Sequence, residues 1–175
     1  MAEVVVRPLA RSDDRSDFGC GDIELDRFFQ RHAGRNQLRH HIGNTYVTVD
    51  GERILGFVTV SPGEITGATV SEHTRKRLPD YPPPILRVSR LAIDHRAQRR
   101  GIGKLLLLRF AFRLALELRD LFGCVGVVVD AKVAAIPFYT KLGFRPLEAM
   151  QGTLGDRPEP LPMFLALRRI SAALG

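Results

Sequence analysis

The stretch Gln98-Arg99-Arg100-Gly101-Ile102-Gly103-Lys104 lies between a β-type run, residues 85–93, and a long apolar helical pattern. Backbone N–H groups at a helix N-terminus lack an intrahelical partner and lie at the positive end of the helix dipole, so they bind phosphate. The two glycines leave room for a phosphate to approach, and the arginines and lysine add positive charge. The stretch predicts a phosphate-binding turn between a strand and a helix.

The spacing of these glycines excludes two other phosphate-binding patterns. A dinucleotide-binding turn needs a third glycine and an acidic residue further on, and a P-loop needs four residues between its glycines and a following Lys-Ser/Thr. The pattern here is Gln-x-x-Gly-x-Gly. Taken alone, it also fits a tight strand-to-helix turn without a ligand.

The sequence on either side of the turn alternates strand and helix patterns. Residues 102–119 predict a helix that packs on a sheet, because its polar positions share one narrow face. Residues 125–129 predict a buried strand, and residues 134–142 a short helix that ends at Gly143. Strand, helix and strand in this order predict a βαβ unit. The polar positions of the long helix are Arg109, Arg113, Glu117 and Asp120.

Further strands are predicted at residues 4–9, 45–49, 54–60 and 163–167. Residues 50–53 read Asp-Gly-Glu-Arg and predict a hairpin turn. Asp22 can cap a helix whose apolar side carries Ile23, Leu25, Phe28 and Phe29. Residues 78–84, rich in proline, predict a stiff connector.

Composition limits the class of protein. The 175 residues are 45% hydrophobic and fit a single domain, residues 1–175. No apolar run reaches the roughly 20 residues that span a bilayer, so we expect a cytoplasmic protein. We expect Cys20 and Cys124 to be free thiols. The net charge of +7 favours a polyanionic ligand such as nucleic acid, anionic lipid or a phosphorylated cofactor.

Two motifs resemble the GNAT acetyltransferases. Residues 98–103 resemble that family's R/Q-x-x-G-x-G/A motif, and residues 135–144, Ala-Ile-Pro-Phe-Tyr-Thr-Lys-Leu-Gly-Phe, resemble its A-x-x-F-Y-x-K-x-G-F motif. The resemblance implies an α/β fold, with a mixed, mostly antiparallel sheet and a central acetyl-CoA-binding βαβ unit flanked by helices. It implies acetyl-CoA as co-substrate, and no metal. The implied coenzyme-binding residues are Leu91, Ala92, Ile93, Gln98, Arg99, Arg100, Gly101, Ile102, Gly103, Lys104 and Phe138.

The family motif places Tyr139 beside the sulfur of the thioester, where it can act as a general acid. The alternative is a core aromatic residue like Phe138 and Phe144. No acidic residue has a strong claim as general base; Glu24 and Glu64 are possible. The missing base favours an α-amine substrate. At a working pH about three units below the pKa of a lysine amine, deprotonating that amine costs about 4 kcal/mol, whereas deprotonating an α-amine costs less than about 1 kcal/mol.

The N-terminal half is similar to GNAT toxins of bacterial toxin–antitoxin systems. Residues 18–29 match their F-x-C-G-x-x-x-L-D-x-F-L opening as far as Phe28, with Phe29 in place of the last leucine. The resemblance implies acetylation of the α-amine of aminoacyl-tRNA, a ribbon–helix–helix antitoxin and a possible homodimer. The sequence departs from these toxins at Ser89 and Arg99, where glycine is common.

Four arginines recur every fourth residue, at positions 27, 31, 35 and 39, although Gly34 can divide them between two helices. Like charges at this spacing repel by about 0.2–0.5 kcal/mol per pair, which favours either a polyanionic partner or a solvated face. The predicted tRNA-binding residues are Arg27, Arg31, Arg35, Arg39, Arg75, Lys76, Arg77, Arg87 and Arg90.

Two other functions remain open from the sequence. One is a housekeeping GNAT enzyme that acetylates a protein N-terminus or a small-molecule amine. The other is a catalytically inactive acetyl-CoA-binding module that serves as a regulatory subunit.

Overall fold

The computed structural model describes residues 4–65, 76, 82–147 and 160–174. Its strands form one sheet in the order β1-β2-β3-β4-β5-β7-β6. The pairings β1–β2, β2–β3, β5–β7 and β6–β7 are antiparallel. The strands are β1 Val5–Pro8, β2 Asn44–Asp50, β3 Arg53–Glu64, β4 Pro84–Ile93, β5 Gly126–Ala131, β6 Arg145–Pro146 and β7 Leu161–Ala166.

Two long helical runs connect the strands. The N-terminal helix, residues 23–40, runs through Ile23–Arg27, Phe28–His32, Ala33–Arg35 and Asn36–His40. The central helix, residues 102–121, runs through Ile102–Leu105, Leu106–Ala111 and Phe112–Leu121. Phe28–His32, Asn36–His40 and Leu106–Ala111 are π-helical. The shorter helices are His95–Ala97, Val133–Ala135, Ile136–Lys141 and Leu167–Leu174.

This architecture confirms the predicted α/β fold with its mixed, mostly antiparallel sheet flanked by helices. β4 and β5 are neighbours in the sheet and are joined by the central helix, as the βαβ prediction requires. Asp50 lies opposite Arg53, so the predicted hairpin has a two-residue turn in which Gly51 has φ 61°. The two-residue strand β6 was not predicted, and Leu167 begins a helix instead of ending the last strand.

The N-terminal helix begins as predicted. The Asp22 carboxylate accepts hydrogen bonds from the N–H groups of Glu24 and Leu25, at 3.0 and 3.1 Å. Phe28 and Phe29 are buried, whereas Ile23 is 75% exposed, so placing Ile23 on the apolar side was wrong. Ile23 is the first residue of the helix, where its side chain points away from the packed face formed further along.

The residues group into two compact units. The first, Met1–Ser61 with Val88–Ala111, is centred on an aromatic cluster in which the rings of Phe29 and Phe57 stack with centroids 4.3 Å apart. The second is Pro62–Arg87 with Phe112–Gly175. Its buried residues include Ile65, Ile85, Val128, Leu147 and Phe164.

Both cysteines are free thiols, as predicted. In the part of the chain that the structure describes, every helix is too short or too polar to cross a bilayer.

Candidate functional site

The predicted phosphate-binding turn ends at Gly101, the N-cap of the central helix, which has a left-handed φ of 78°. The first α-helical hydrogen bond runs from the Leu105 N–H to the Gly101 oxygen, at 3.0 Å. The amides of the preceding turn therefore lack a partner inside the helix and can face an anion. A Cβ atom built on Gly101 would meet no heavy atom within 4 Å, so the space before this helix is open.

Arg99, Arg100 and Lys104 are exposed around this open space. Arg99 has φ 64°, a left-handed conformation that strains a residue with a side chain. Arg99 is one of the two positions at which the sequence departs from the GNAT toxins it resembles, and this backbone conformation suits glycine. The three side chains are placed where they can attract a phosphorylated coenzyme.

Gln98, the first residue of the coenzyme motif, is exposed, but its side chain is hydrogen-bonded to the backbone of the chain. Its Nε2 donates to the backbone oxygens of Cys20, at 2.9 Å, and Ile93, at 3.1 Å. One glutamine thus joins the turn, the end of β4 and the loop before the N-terminal helix.

A buried carboxylate, Asp94, stabilises the same turn. It is 1% exposed and accepts hydrogen bonds from the backbone N–H groups of Arg96 and Gly19 and from the Arg96 guanidinium. Burial alone would raise its pKa, but the side-chain and backbone hydrogen bonds from Arg96 and that from Gly19 outweigh burial and lower the pKa to about 2. Asp94 and Arg96 were not among the predicted site residues. The signal that would have identified them is an Asp-x-Arg sequence directly after a strand.

The predicted pantetheine-binding strand, Leu91 to Ile93, lies at the end of β4. Ala92 is buried, and the neighbouring strand approaches closely because it has glycine at position 56. A Cβ atom on Gly56 would lie 2.7 Å from Ile93 Cδ1 and 3.0 Å from the Ala92 oxygen. The Ser89 hydroxyl, at a position where the sequence departs from the toxins it resembles, donates to the Thr59 oxygen at 3.4 Å.

In the second unit, Tyr139 lies on the helix Ile136–Lys141 and is 4% exposed. Its ring packs edge-on against Phe138 and Phe144, with centroids 5.2 and 5.5 Å away. Burial raises the pKa of the phenol, and the negative charge of Asp130 raises it further. Tyr139 is therefore protonated at neutral pH, as a general acid must be, although the aromatic packing equally suits a core residue.

Arg87, predicted to bind tRNA, is paired within the second unit. Its Nε and Nη2 donate to the two carboxylate oxygens of Asp130 at 2.9 and 2.8 Å. This bidentate pair raises the pKa of Arg87 and fixes its guanidinium. Arg87 is thus less available to a phosphate than an unpaired arginine. Lys76 is exposed, and the predictions for Arg75 and Arg77 fall outside the described residues.

Two other predicted tRNA-binding residues, Arg27 and Arg90, line one cleft of about 290 Å³ in the first unit. The Arg90 guanidinium lies over the Phe28 ring, 3.8 Å from its centroid, which orients it by a cation–π contact. The full lining is Glu24, Arg27, Phe28, His32, Asn36 and Arg90. The cleft offers charged and amide groups that suit a sugar-phosphate.

The arginine stripe, Arg27, Arg31, Arg35 and Arg39, lies exposed on one unbroken helix, because the chain stays helical through Gly34. At 3.6 residues per turn, positions four apart would drift around an α-helix by about 40° each time. The π-helical turns at Phe28–His32 and Asn36–His40 rotate the chain less per residue and offset that drift. We therefore expect the four arginines to keep to one side of the helix more closely than in a regular α-helix. None of them forms a hydrogen bond or ion pair with another described residue.

Several known proteins are similar to this chain over almost its whole length. The tRNA-acetylating toxin of Mycobacterium tuberculosis is 28% identical over 97% of this chain and 95% of its own. The solved structure of AtaT complexed with acetyl-methionyl-tRNAfMet is 25% identical, with a TM-score of 0.82, covering 99% of this chain and 100% of its own.

Two further solved structures concern the same relative. AtaTR bound with acetyl-CoA is 27% identical, with a TM-score of 0.79 and 98% of both chains covered. The AtaT mutant toxin bound to the C-terminus of the antitoxin AtaR is 24% identical, with a TM-score of 0.77, covering 97% of this chain and 96% of its own.

Residues 41–146, more than half of the sequence, match the acetyltransferase (GNAT) domain. The match includes the predicted pantetheine strand, the phosphate-binding turn and Tyr139. The chain belongs to the GNAT acetyltransferase family.

Proposed function

We propose that this protein transfers the acetyl group of acetyl-CoA to the α-amine of aminoacyl-tRNA and so blocks translation. The observation that carries the proposal is its similarity, along almost the whole of both chains, to a tRNA-acetylating toxin. The structure of AtaT with acetyl-methionyl-tRNAfMet supports the same acceptor. The activity is then that of a toxin of a toxin–antitoxin system.

Acetyl-CoA supplies the reactive thioester, and the residues of the turn suit its pyrophosphate. Gly101 leaves the end of the central helix uncovered, and Arg99, Arg100 and Lys104 are exposed beside it. The backbone of Leu91, Ala92 and Ile93 would hold the pantetheine arm. The acetyl-CoA-bound relative supports this assignment of the coenzyme.

The chemistry is the formation of an amide bond and the breaking of a thioester. The neutral substrate nitrogen attacks the acetyl carbon, the carbon–sulfur bond breaks, and Tyr139 gives its phenolic proton to the departing sulfur, so that coenzyme A leaves as the thiol. The nitrogen loses one proton to solvent as the amide forms, and a solvent proton restores the Tyr139 phenol. Tyr139 carries this proton before the reaction, since burial and the charge of Asp130 raise the pKa of its phenol. N–H groups of the strand that carries Leu91 would stabilise the negative charge on the carbonyl oxygen.

The arginine stripe and the cleft beside it are proposed to bind the acceptor end of the tRNA. The stripe supplies outward-facing charges for several phosphates, and Arg27 belongs both to the stripe and to the cleft. Arg90, fixed over Phe28, would hold the last sugar-phosphate near the strand that binds pantetheine. The α-amine of the aminoacyl ester needs no strong base, because it loses its proton readily near neutral pH.

The same relatives support a proposed protein partner and a proposed cellular location. AtaT is a toxin whose antitoxin AtaR binds it through the antitoxin's C-terminus, and we propose an antitoxin for this chain, of the ribbon–helix–helix type. Residues 1–175 would act as one catalytic domain in the cytoplasm, where charged tRNA is found.

The test is an acetylation assay with radiolabelled acetyl-CoA. Charged tRNA should be labelled, deacylated tRNA should not, and alkaline release should return an acetyl-amino acid. Tyr139→Phe should lower the rate by about a hundredfold or more, because the general acid is lost. Tyr46→Phe is the matched control and should keep the rate. The Tyr46 ring packs against Phe110, with the two centroids 4.2 Å apart. Labelling of peptide N-termini or small amines, with tRNA unlabelled, would reject the proposal in favour of a housekeeping acetyltransferase.

A further inference from the structure

The loop before the N-terminal helix is hydrogen-bonded to the turn that follows β4. The His95 N–H donates to the Gly19 oxygen at 2.8 Å, and the Gly19 N–H donates to Asp94 Oδ2 at 3.3 Å. The Arg96 guanidinium donates to Asp17 Oδ2 at 2.9 Å. Gln98 completes these contacts through its bonds to the Cys20 and Ile93 oxygens.

We propose that Gln98 is a positioning residue that holds the coenzyme-binding turn and the end of β4 in register and does not itself bind the pyrophosphate. This inference rests on the proposed coenzyme role. It revises the prediction that Gln98 contacts acetyl-CoA. In this role Gln98 acts through Ile93 and the backbone of the turn.

The donor count of the side chain supports this role. A glutamine amide has two N–H donors and one acceptor oxygen. Both bonds from Gln98 Nε2 end on backbone carbonyls of the chain, at 2.9 and 3.1 Å. To donate to a phosphate, Gln98 would have to give up one of these bonds, and its remaining oxygen has no attraction for an anion. The bonds fix the turn before the coenzyme arrives, which lowers the ordering cost of binding.

The loop that Gln98 contacts is also hydrogen-bonded to the N-terminal helix, which is proposed to bind RNA. The Cys20 N–H donates to Asp26 Oδ1 at 2.8 Å, and Asp26 lies on the N-terminal helix. Gln30 on that helix donates to the Phe18 oxygen at 2.7 Å. One short loop, residues 17–20, therefore joins the turn proposed for the coenzyme to the helix proposed for RNA, and Gln98 is its link to the end of β4.

The experiment compares three variants of position 98. Gln98→Ala removes the donors, Gln98→Glu keeps the shape but replaces the donors with acceptors, and Gln98→Arg keeps donors. Steady-state rates are measured with acetyl-CoA and with S-acetylpantetheine, which lacks the pyrophosphate. For Ala and Glu we expect KM to rise about tenfold for both acetyl donors, with kcat changed less than about threefold, because two hydrogen bonds are lost.

The conservative variant and a second readout separate this role from others. Gln98→Arg should return KM toward the wild-type value, and the pH profile of kcat should not move in any variant. Amide hydrogen exchange in the coenzyme-free protein should speed up at residues 19–21 and 99–103 in the Ala variant. Gln37→Glu is the matched control, since Gln37 also bonds backbone groups of Leu9 and Thr45. It should lower stability but leave KM unchanged.

Three results would overturn the inference. A rise in KM for acetyl-CoA alone, with S-acetylpantetheine unaffected and amide exchange at residues 99–103 unchanged, would show that Gln98 binds the pyrophosphate directly. Unchanged KM values in the Ala and Glu variants would show that these bonds have no role in binding. Equal KM changes in Gln37→Glu would show a general loss of structure. A wild-type protein that binds coenzyme but leaves charged tRNA unmodified would instead contradict the proposed function.

Discussion

The segment that follows β4, residues 94–104, contains the phosphate-binding turn and is basic, as is the arginine stripe of the N-terminal helix. The two differ in how many hydrogen bonds their polar side chains form. In the turn, Asp94, Arg96 and Gln98 are bonded to groups distant in sequence. In the stripe, four arginines project from one helix face without a partner among the described residues. The proposed ligands differ in the same way. A coenzyme of defined shape binds more tightly to a preformed site, whereas the phosphates of an RNA backbone can be neutralised by arginine side chains that adjust to them.

The largest effect is expected from the stripe. Replacing Arg27, Arg31, Arg35 and Arg39 together with glutamine should weaken tRNA binding by a hundredfold or more near physiological salt, on the order expected for four lost phosphate contacts. The slope of log K against log salt should become shallower by about 3. Because three like-charge pairs disappear, the free energy of unfolding should rise by about 1 kcal/mol. Binding is measured by filter retention over a salt series.

The control for this variant is Arg113→Gln, an exposed arginine of the central helix. It should change the salt slope by less than one unit. A quadruple variant with the wild-type slope would show that the stripe is a solvated face that does not bind tRNA.

For the turn, the largest expected effect of a substitution is a loss of folding stability. Asp94→Asn should lower the free energy of unfolding at pH 7 by about 2 kcal/mol, since the carboxylate pKa falls from 3.8 to about 2 on folding. A lowered folded-state pKa stabilises above the unfolded value and loses its effect as pH falls through the folded value. The wild-type protein should therefore lose this stability between about pH 4 and pH 2, and the variant should not. Urea unfolding across that range measures both.

Asp120 is the comparison for Asp94. It pairs with Arg119 on the surface, and its carboxylate is 69% exposed. Asp120→Asn should change stability by less than about 0.5 kcal/mol. Equal losses from both substitutions would show that burial of Asp94 does not strengthen its bonds.

A smaller effect, about 1–2 kcal/mol, is expected from an alanine at Gly101, because φ 78° strains any residue with a side chain. The same substitution should weaken coenzyme binding, as the added methyl group occupies the space in front of the helix. Gly51→Ala is the matched control, because Gly51 has φ 61° and a Cβ atom built on it would meet no heavy atom within 4 Å. Gly51→Ala should cost similar stability and leave coenzyme affinity, measured by calorimetry, at the wild-type value. Equal affinity losses in both variants would argue against a phosphate site at Gly101.

The smallest effect is expected at Arg99. Arg99→Gly relieves a left-handed conformation at φ 64°, which offsets the entropy that glycine adds to the unfolded chain. Stability should stay the same or rise by up to about 1 kcal/mol. Arg100→Gly gains no such relief and should destabilise by about 0.4–1 kcal/mol. Denaturation midpoints for the two variants should therefore move apart, and equal losses would contradict the strain at Arg99.

The elements predicted correctly were those with local signals. The hairpin at Gly51, the cap at Asp22 and the strand that ends at Ile93 each depend on residues within a few positions, and the structure has all three. Sequence pattern alone did not predict the bonds of Asp94 and Gln98, because their partners at Gly19 and Cys20 lie more than 70 residues away. The four-residue spacing predicted the arginine stripe on one helical face but left open a break at Gly34, and the chain in fact stays helical there. The π-helical turns on either side were not predicted from the sequence.

The two ends of the sheet bear on how this protein behaves at high concentration. Each edge strand is short and ends in an Arg-Pro pair, Arg7-Pro8 in β1 and Arg145-Pro146 in β6. Proline cannot donate to a further strand, and arginine charge repels a second copy, so both edges resist extension of the sheet from one molecule to the next. At high concentration the protein is thereby protected from pairing edge to edge into β-aggregates.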